Sequence, residues 1–233
     1  MKTTKLIAHR GLHKGFEIPE NSILAFKKAK EKSYGIELDI TISKDNQIVV
    51  FHDDTLDRLC NISGNIEDFD YKFLEEQKLY KTDEKIPLLS QVLKVIGLDT
   101  LVLIEIKKHR NIGLLENILC DLLNNYQGKY LICSFEKDIL FWFKKNRVNM
   151  KKGLIFESLP KKFEKYNKLI FLYKFFKTSP DFISLDYSLF DSSIYKFCKK
   201  KDLELYFWTI DSFEKFNKVN KDNNKIIFEK INP

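Results

Sequence analysis

Short runs of β-forming residues alternate with longer amphipathic stretches through most of the chain, and this alternation constrains the fold more than any other feature. The first helical pattern runs from Ser22 to Ser33, with Asn21 or Ser22 as its cap and Gly35 after its end. Such alternation predicts parallel strands joined by crossover helices. The predicted strands are Leu6–His9, Ile36–Ile42, Ile48–His52, Leu101–Ile106, Tyr130–Ser134, Gly153–Phe156, Phe182–Leu185, Leu205–Ile210 and Ile226–Phe228.

The linker Ser43–Gln47, between the second and third predicted strands, is too short for a parallel crossover, which needs about a dozen residues. The third strand should therefore return antiparallel, as a hairpin. A turn centred on Asp45-Asn46 would place Asp39 opposite His52, with Cβ atoms about 5 Å apart. The eight remaining strands predict an α/β fold, a (β/α)8 barrel with the hairpin as an extension of its second strand, and 233 residues suit such a barrel.

The stretch from Asp53 to about Pro87 has no strand–helix period of its own. It contains Gly64 and many charged residues, and a helical pattern resumes at Leu88. We interpret residues 53–87 as a small insertion above the barrel mouth, for which a helical lid is one form. Because no internal repeat or low-complexity linker is visible, residues 1–233 are predicted to form a single barrel domain.

Composition limits the partners of the chain. Hydrophobic residues make up 44% and charged residues 31%, as in an ordinary globular protein. The net charge of +7 suits an anionic small-molecule substrate. We expect no nucleic-acid partner, because no recognised binding motif accompanies that charge. No apolar run approaches the roughly 20 residues of a spanning helix, so no stable membrane insertion is expected, and the oligomeric state is left open.

The cellular compartment is inferred from the start of the chain and from its cysteines. His9-Arg10 ends the apolar run Leu6-Ile7-Ala8, whereas a secretory signal needs an apolar core of about 7–15 residues. The four cysteines are scattered, without a CxxC pair, and favour reduced thiols over a disulfide framework. Together these features predict a cytoplasmic protein.

Acidic residues interrupt two of the predicted strands on one face. Because strand side chains alternate, Glu37 and Asp39 share the face opposite to their apolar neighbours, and Glu105 and Lys107 share a face at the end of a later strand. Carboxylates held together there suit a hard cation such as Mg²⁺ or Ca²⁺, and Lys107 could contact a phosphate oxygen. The plainer alternatives are exposed carboxylates on an edge strand and a surface ion pair.

Two of the four histidines end predicted strands. His9 and His52 are therefore candidates for general acid–base catalysis. Arg10, after His9, offers a planar fork that matches phosphate. His13 and His109 have no comparable context, and we assign them to the surface or to loops.

Two aromatic-rich stretches occur in the C-terminal half of the chain. Phe141–Phe143 and Phe171–Phe176 are predicted to pack as helices, although an exposed portion of either could touch lipid.

Several blocks of the chain resemble the signature of the glycerophosphodiester phosphodiesterase family. The N-terminal block is highly specific, and the later pieces are individually weak. The matching text is His9-Arg10-Gly11, Pro19-Glu20-Asn21-Ser22, Gly35-Ile36-Glu37-Leu38-Asp39, Asp45 to Asp53, Leu56-Asp57-Arg58, Pro87-Leu88-Leu89, Ile104-Glu105-Ile106-Lys107, Ser134-Phe135 and Trp208-Thr209.

The resemblance implies a TIM-type barrel, one bound divalent cation (Mg²⁺ or Ca²⁺, with Mn²⁺ as a further option) and hydrolysis of glycerophosphodiesters to glycerol phosphate and an alcohol. The implied roles are His9 and His52 as the acid–base pair, Glu37, Asp39 and Glu105 as metal ligands, Arg10 and Lys107 as phosphate-binding residues, and Glu20, Asn21 and Trp208 as candidates for the substrate pocket.

The C-terminal third departs from the family pattern. Ile210-Asp211 follows Trp208-Thr209 where the family has an asparagine two residues on, and the closing Thr-Asp before a proline is missing. These departures concern substrate preference. A lysophospholipase D or sphingomyelinase D-like activity and a catalytically silent barrel that binds a partner stay open as alternatives. So do the order of the two histidines as acid and base, and the choice between water and an internal hydroxyl as nucleophile.

Overall fold

The computed structural model describes residues 5–222 and 224–233. Its strands are β1 (Leu6–Ala8), β2 (Gly35–Ile42), β3 (Ile48–Val50), β4 (Val102–Ile106), β5 (Tyr130–Ser134), β6 (Lys152–Phe156), β7 (Phe182–Asp186), β8 (Glu204–Ile210) and β9 (Lys225–Phe228). Its helices are α1 (Ile23–Glu31), α2 (Asp57–Cys60), α3 (Tyr71–Leu74), α4 (Leu89–Ile96), α5 (Leu114–Asn124), α6 (Lys137–Asn146), α7 (Asn167–Thr178), α8 (Ser193–Lys200) and α9 (Phe213–Asn220). Four short 3-10 helices complete them: Ile66–Asp68, Leu79–Lys81, Lys161–Tyr166 and Tyr187–Leu189.

The nine strands lie in one sheet in the order β1-β9-β8-β7-β6-β5-β4-β2-β3, and β1 also pairs with β2. The ladders β2–β4, β5–β6, β6–β7, β7–β8 and β8–β9 are parallel, whereas β3 runs antiparallel to β2. This is the topology of a TIM-type (β/α)8 barrel with a hairpin extension of its second strand. The predicted fold class is confirmed, and every predicted strand is present with bounds that differ by at most two residues.

The register of the hairpin differs from the prediction by one residue. Ile40 pairs with Val50, and the next bond along runs from the Phe51 N–H to the Asp39 carbonyl over 3.0 Å. Asp39 therefore lies opposite Phe51 and not opposite His52. The cause is the turn: Asn46 adopts a left-handed conformation with φ 63°, so the loop is centred on Asp45.

The chain divides into two compact units, one of Ala8–Tyr130 and one of Leu131–Pro233 with residues 5–7. The first unit holds β2, β3 and β4, with α1 started by the Ser22 hydroxyl, which accepts from the Ala25 N–H at 3.1 Å. In the second unit, β6 to β9 bury a core rich in aromatic rings, including Phe171, Phe182 and Phe207. No helix among residues 5–222 and 224–233 is both long and apolar enough to cross a bilayer.

The insertion after β3 has an apolar core of its own. Residues 53–87 contain α2, α3 and two of the 3-10 helices, and none of these exceeds four residues. Their buried side chains pack with Val49 and Phe51, so the insertion is anchored to the hairpin. The cluster consists of Val49, Phe51, Leu56, Leu59, Ile66, Leu74, Leu79 and Ile86. Because even short helices persist when an apolar face is buried, this cluster explains how the segment holds a defined structure.

Candidate active site

Three carboxylates converge from two neighbouring strands, β2 and β4. Glu37 and Asp39 lie on the same face of β2, and the parallel register places Asp39 beside Glu105 on β4. One oxygen from each of the three lies within 4.8 Å of one from each of the others. Glu37 and Asp39 are 4% and 1% exposed, so these are not edge-strand carboxylates turned towards water.

Burial and mutual repulsion disturb the protonation of this cluster. Burial, followed by the charges of Asp39 and Glu105, raises the pKa of Glu37 well above its ordinary value. Burial and the charge of Asp39 also raise the pKa of Glu105. Burial acts in the same direction on Asp39, but the positive charges of Lys107 and Arg10 outweigh it and lower the pKa of that carboxyl. Additional positive charge at the cluster would therefore favour the ionised forms of Glu37 and Glu105.

Two cations already border the carboxylates. The Lys107 Nζ lies 2.7 Å from Glu105 Oε1 and 3.5 Å from Asp39 Oδ1, and the Arg10 Nε lies 3.4 Å from Asp39 Oδ2. The pKa of Lys107 is raised, because its two carboxylate neighbours outweigh the effect of burial. These pairs bring together four of the predicted residues.

A strained turn after β1 aims Arg10 at the cluster. Arg10 has φ 52°, a left-handed conformation that is uncommon for a long side chain, and its N–H donates to Glu37 Oε2 at 2.9 Å. Gly11 follows with φ 79°, and a Cβ there would lie 2.9 Å from the backbone of Ala25. The turn thus has little room to relax, and it holds the guanidinium beside Asp39.

Asn21 and Glu20 join this turn to the carboxylates. The Asn21 side chain donates to Asp39 Oδ2 at 2.9 Å, and its N–H donates to the Arg10 carbonyl at 3.0 Å. Glu20 accepts from Arg10 Nη1 at 2.7 Å. Burial acts to raise the pKa of Glu20, but the hydrogen bond from Arg58 and the charge of Arg10 outweigh burial and lower that pKa. Both residues therefore belong to the site's polar framework, whereas the cap of α1 is Ser22.

A further network runs from Glu20 to His52. Arg58 donates to both Glu20 oxygens at 2.8 Å and to both Asp53 oxygens, at 2.6 Å and 2.9 Å. Asp53 Oδ1 lies 2.6 Å from His52 Nδ1. His52 is half-buried. Burial acts to raise the pKa of Asp39, and the groups that lower it are Lys107 first, Arg10 second and His52 third.

The sequence predicted no role for Asp53 or Arg58, although both lie in segments that resemble the family signature. Sequence spacing gives no sign of the Arg58–Glu20 contact, because 38 residues separate the partners. The adjacency of Asp53 to His52 is the one local signal that points to a carboxylate partner for this histidine.

His9 occupies the turn that follows β1 and is half-buried. One of its ring nitrogens lies within 4.8 Å of a ring nitrogen of His13, which is also half-buried in the following loop. His13 is therefore a close neighbour of a candidate catalytic histidine, a proximity that spacing in the sequence did not indicate.

The assignment of His109 to the surface or a loop is wrong in one respect: the residue follows β4 in a loop, but it is buried. Its side chain is fully enclosed, with Nε2 3.2 Å from Glu116 Oε1 and Nδ1 3.0 Å from the Lys107 carbonyl. Both neighbours are oxygen atoms, so these surroundings favour the protonated form of the ring. The charge is compensated by Glu116, a residue seven positions further on.

Trp208 lies on β8 in the second unit, whereas the other predicted site residues all belong to the first unit. Its ring packs edge-on against Phe135, with centroids 5.5 Å apart. Its predicted place in a substrate pocket stays a prediction.

The donor set suits a hard divalent cation. Three buried carboxylates, two of them with raised pKa values, offer oxygen ligands and excess negative charge at one point. Set against Lys107 and Arg10, three carboxylates leave a net charge of about −1 when all are ionised, and a divalent ion would turn it to about +1. The residues present therefore fit the metal that the family resemblance implies.

Fold and site together define an enzyme of the phosphodiesterase type on a TIM-type barrel, with an acidic centre on β2 and β4. The chain belongs to the glycerophosphoryl diester phosphodiesterase family, whose model matches residues 9–228. It is accordingly a phosphoric diester hydrolase.

Individual relatives agree with this assignment. The chain is 33% identical over 239 residues to a glycerophosphodiester phosphodiesterase of Caldanaerobacter subterraneus subsp. tengcongensis, covering 94% of this chain and 90% of that protein. It superposes on the glycerophosphodiester phosphodiesterase of Thermotoga maritima with a TM-score of 0.77 at 26% identity, covering 98% and 95% of the two chains. A phosphodiesterase of Oleispira antarctica, 21% identical with a TM-score of 0.81 over 97% and 92% of the chains, shares the fold.

Proposed function

We propose that this chain hydrolyses glycerophosphodiesters to glycerol phosphate and an alcohol in a reaction that depends on a divalent cation. The observation that carries the proposal is the convergence of three buried carboxylates between two cations, beside a histidine held by its own aspartate. Glu37, Asp39 and Glu105 would hold the ion, Mg²⁺ or Ca²⁺ with Mn²⁺ as a further option. When bound, the ion supplies positive charge that stabilises the phosphate as negative charge develops.

Arg10 and Lys107 bind and orient the phosphodiester in this proposal. Both are half-buried and both already contact Asp39, so their positive charges lie beside the ion site before substrate arrives. A site with a net charge of about +1 after ion binding complements the single negative charge of a phosphodiester. Preorganised charge of this kind lowers the barrier because little needs to reorient during the reaction.

His9 and His52 would serve as the acid–base pair. One accepts the proton of the attacking hydroxyl, and the other donates a proton to the leaving alcohol oxygen. Asp53 accepts from His52 Nδ1, which leaves Nε2 to exchange protons with the substrate. The geometry is compatible with either order of the two histidines, and with water or the substrate's own glycerol hydroxyl as nucleophile.

The structure of the Oleispira antarctica phosphodiesterase is a complex with the product sn-glycerol-3-phosphate. That neighbour supports a small glycerol-containing phosphodiester as the substrate class here. The departures of the C-terminal third leave the head group as the part of the substrate to be determined.

The test is hydrolysis of glycerophosphocholine, glycerophosphoethanolamine and lysophosphatidylcholine with Mg²⁺, Ca²⁺, Mn²⁺ or EDTA. We expect turnover of the glycerophosphodiesters, loss of turnover with EDTA, and about 10²–10⁴-fold slower turnover for His9→Ala and for His52→Ala. Glu31→Gln, on the exposed face of α1, is the matched control and should change nothing. Full activity in EDTA would refute metal dependence, and unchanged activity of either histidine variant would refute that histidine's role.

Preference for lysophosphatidylcholine would favour the lysophospholipase D alternative. Failure to hydrolyse any substrate with every ion would instead favour the catalytically silent barrel.

A further inference from the structure

One stretch of the second unit exposes far more apolar surface than its surroundings. Of twelve large hydrophobic side chains that are exposed among the described residues, five fall between positions 163 and 176. Phe163 and Tyr166 lie on the Lys161–Tyr166 3-10 helix, which follows β6, and the others lie on α7. We call this stretch the basic–aromatic face; its apolar members are Phe163, Tyr166, Leu169, Tyr173 and Phe176, which are 43–67% exposed.

The apolar side chains of α7 point in two directions. Phe171 is fully buried in the second unit, together with Thr178 at the end of the helix. Leu169, Tyr173 and Phe176, at spacings of four and three, form one stripe on the outside. An ordinary surface helix is polar on that side, so a helix with apolar residues on both faces suits a second apolar environment.

Positive charge is concentrated on the same stretch. Between Lys161 and Lys177 there are six lysines against one acidic residue, Glu164, a net charge of +5. Lys177 is paired with Asp138, and Lys174 donates to a backbone carbonyl. The remaining four are exposed to solvent: Lys161, Lys162, Lys165 and Lys168.

Lysines and rings are interleaved within this face. The Lys162 Nζ lies 5.6 Å from the Phe163 ring centroid, and the Lys165 Nζ lies 5.0 Å from that of Tyr166. A face that presents ammonium groups and apolar side chains side by side matches the boundary of an anionic bilayer, where headgroups carry the negative charge and acyl chains begin just beneath.

We propose that the basic–aromatic face binds peripherally to anionic phospholipid membranes. The exposed lysines contact the headgroups, while Leu169, Tyr173 and Phe176 enter the boundary between headgroups and acyl chains. Each lysine near an anionic surface strengthens binding about five-fold at ordinary ionic strength. The stripe would lie on the membrane surface and would not span the bilayer, so the attachment would be reversible.

An anionic membrane fits this face better than a nucleic acid does. Single-stranded nucleic acids bind by base stacking on aromatic rings, to which the aliphatic Leu169 contributes nothing. Leu169 is also the most exposed apolar residue of the face, at 67%. Burial in acyl chains uses every member of the stripe, whereas stacking would use only some of them.

The test is co-sedimentation of the full-length protein with vesicles of phosphatidylcholine alone or with about one third phosphatidylglycerol. We expect binding to the anionic vesicles, at least ten-fold weaker binding to the neutral ones, and weakening with added salt. The combined substitution of Lys161, Lys162, Lys165 and Lys168 by Ala should weaken binding at least 100-fold. The control, one charge fewer, replaces Lys199, Lys200 and Lys201 by Ala, an exposed run on the same unit, and should change binding less than three-fold.

A second pair of variants tests the apolar contribution. L169S/F176S should lose most vesicle binding that persists at high salt, and V148S/F213S, which alters two exposed residues outside the face, should retain it. No binding of the unaltered protein to anionic vesicles would overturn the proposal. So would equal losses in the face and control variants, or tight binding of single-stranded DNA without vesicle binding.

Hydrolysis of the water-soluble glycerophosphocholine is measured on the same samples. The docking proposal does not depend on the proposed activity, because none of the substituted residues belongs to the catalytic site. Retained hydrolysis shows that the variants are folded, and thermal unfolding provides the same control if the protein has no hydrolytic activity.

Discussion

The two units bury different chemistry. Residues 8–130 enclose ionisable groups, among them Glu37, Asp39, Glu105, His109 and Glu116. Residues 131–233 enclose aromatic rings, and their two buried lysines, Lys152 and Lys225, lie at strand starts beside acidic partners.

The difference shows where function constrains the chain. A buried ring stabilises the fold by leaving water, whereas a buried carboxylate costs free energy unless a cation, a proton or hydrogen bonds compensate it. Buried charge that is only partly compensated therefore marks the part of a protein that is retained for a purpose other than stability. In this chain that part is the β2–β4 carboxylate cluster.

The largest effect should follow from removing the central carboxylate. Asp39 contacts Arg10, Lys107 and Asn21, so Asp39→Asn removes charge at the point where the other groups meet. We expect kcat/KM for glycerophosphodiesters to fall on the order of 10³-fold, which corresponds to several kcal/mol of lost charge stabilisation. Steady-state kinetics with saturating Mg²⁺ would measure it, beside Asp45→Asn on the exposed hairpin turn. A loss below ten-fold would mean that buried charge here is not catalytic.

The second effect concerns a buried pair that is fully compensated. Glu116→Gln leaves the enclosed His109 imidazolium without its counter-charge, and breaking such a pair costs about 3 kcal/mol of unfolding free energy. Chemical denaturation near pH 6 would measure the loss. If the variant proved as stable as the parent chain, the pair would not be an ion pair in solution.

The same pair predicts a pH dependence. Burial alone would lower the pKa of His109, but the adjacent Glu116 carboxylate and the Lys107 carbonyl outweigh burial and raise it. A raised folded-state pKa means that the stabilisation is fully present below about pH 6.5 and is lost as pH rises through the raised value. Unfolding free energy should therefore decline above about pH 6.5 in the parent chain and decline less in Glu116→Gln.

The fold and the carboxylate cluster were predictable because both follow from local periodicity. Alternation along β2 places Glu37 and Asp39 on one face whatever the rest of the chain does, and the return of β3 follows from the short linker. The pairing register was not predictable, because it depends on the left-handed conformation of Asn46, and a one-residue change there exchanges His52 for Phe51.

Contacts between distant segments were beyond local patterns for the same reason. The burial of His109 depends on Glu116, which reaches back across the start of α5 while also accepting from the Gly113 N–H at 2.6 Å. The Arg58–Glu20 pair forms only when the insertion is folded, because it joins residues 38 positions apart. Such pairs are determined by tertiary structure, and the spacing of the two residues in the sequence does not predict them.

The third effect tests whether Asp53 positions His52. Asp53→Asn keeps the shape of the side chain but weakens its hold on the imidazole and on Arg58. Loss of an orienting partner of this kind lowers activity about 10- to 100-fold, and we expect the loss in kcat with KM little changed. Asp54→Asn, the exposed neighbour, is the matched control. Equal kinetics of the two variants would leave Asp53 with a structural role only.

The smallest effect is a change in the free energy of unfolding when Glu37, a member of the carboxylate cluster, loses its charge. In the metal-free protein Glu37 is buried against Asp39 and Glu105, and its raised pKa reflects burial first and that repulsion second. Glu37→Gln removes the charge and keeps an oxygen to accept from the Arg10 N–H, so the unfolding free energy of the metal-free protein should rise by about 1 kcal/mol at pH 8. Thermal unfolding in EDTA and in excess Mg²⁺, beside Glu31→Gln, measures both parts: the variant should gain stability without the ion and gain less from adding it. A variant that is less stable in EDTA than the parent chain would show that other groups already compensate the repulsion. The buried carboxylates of residues 8–130 would then cost no folding free energy, unlike the contrast drawn with the buried rings of residues 131–233.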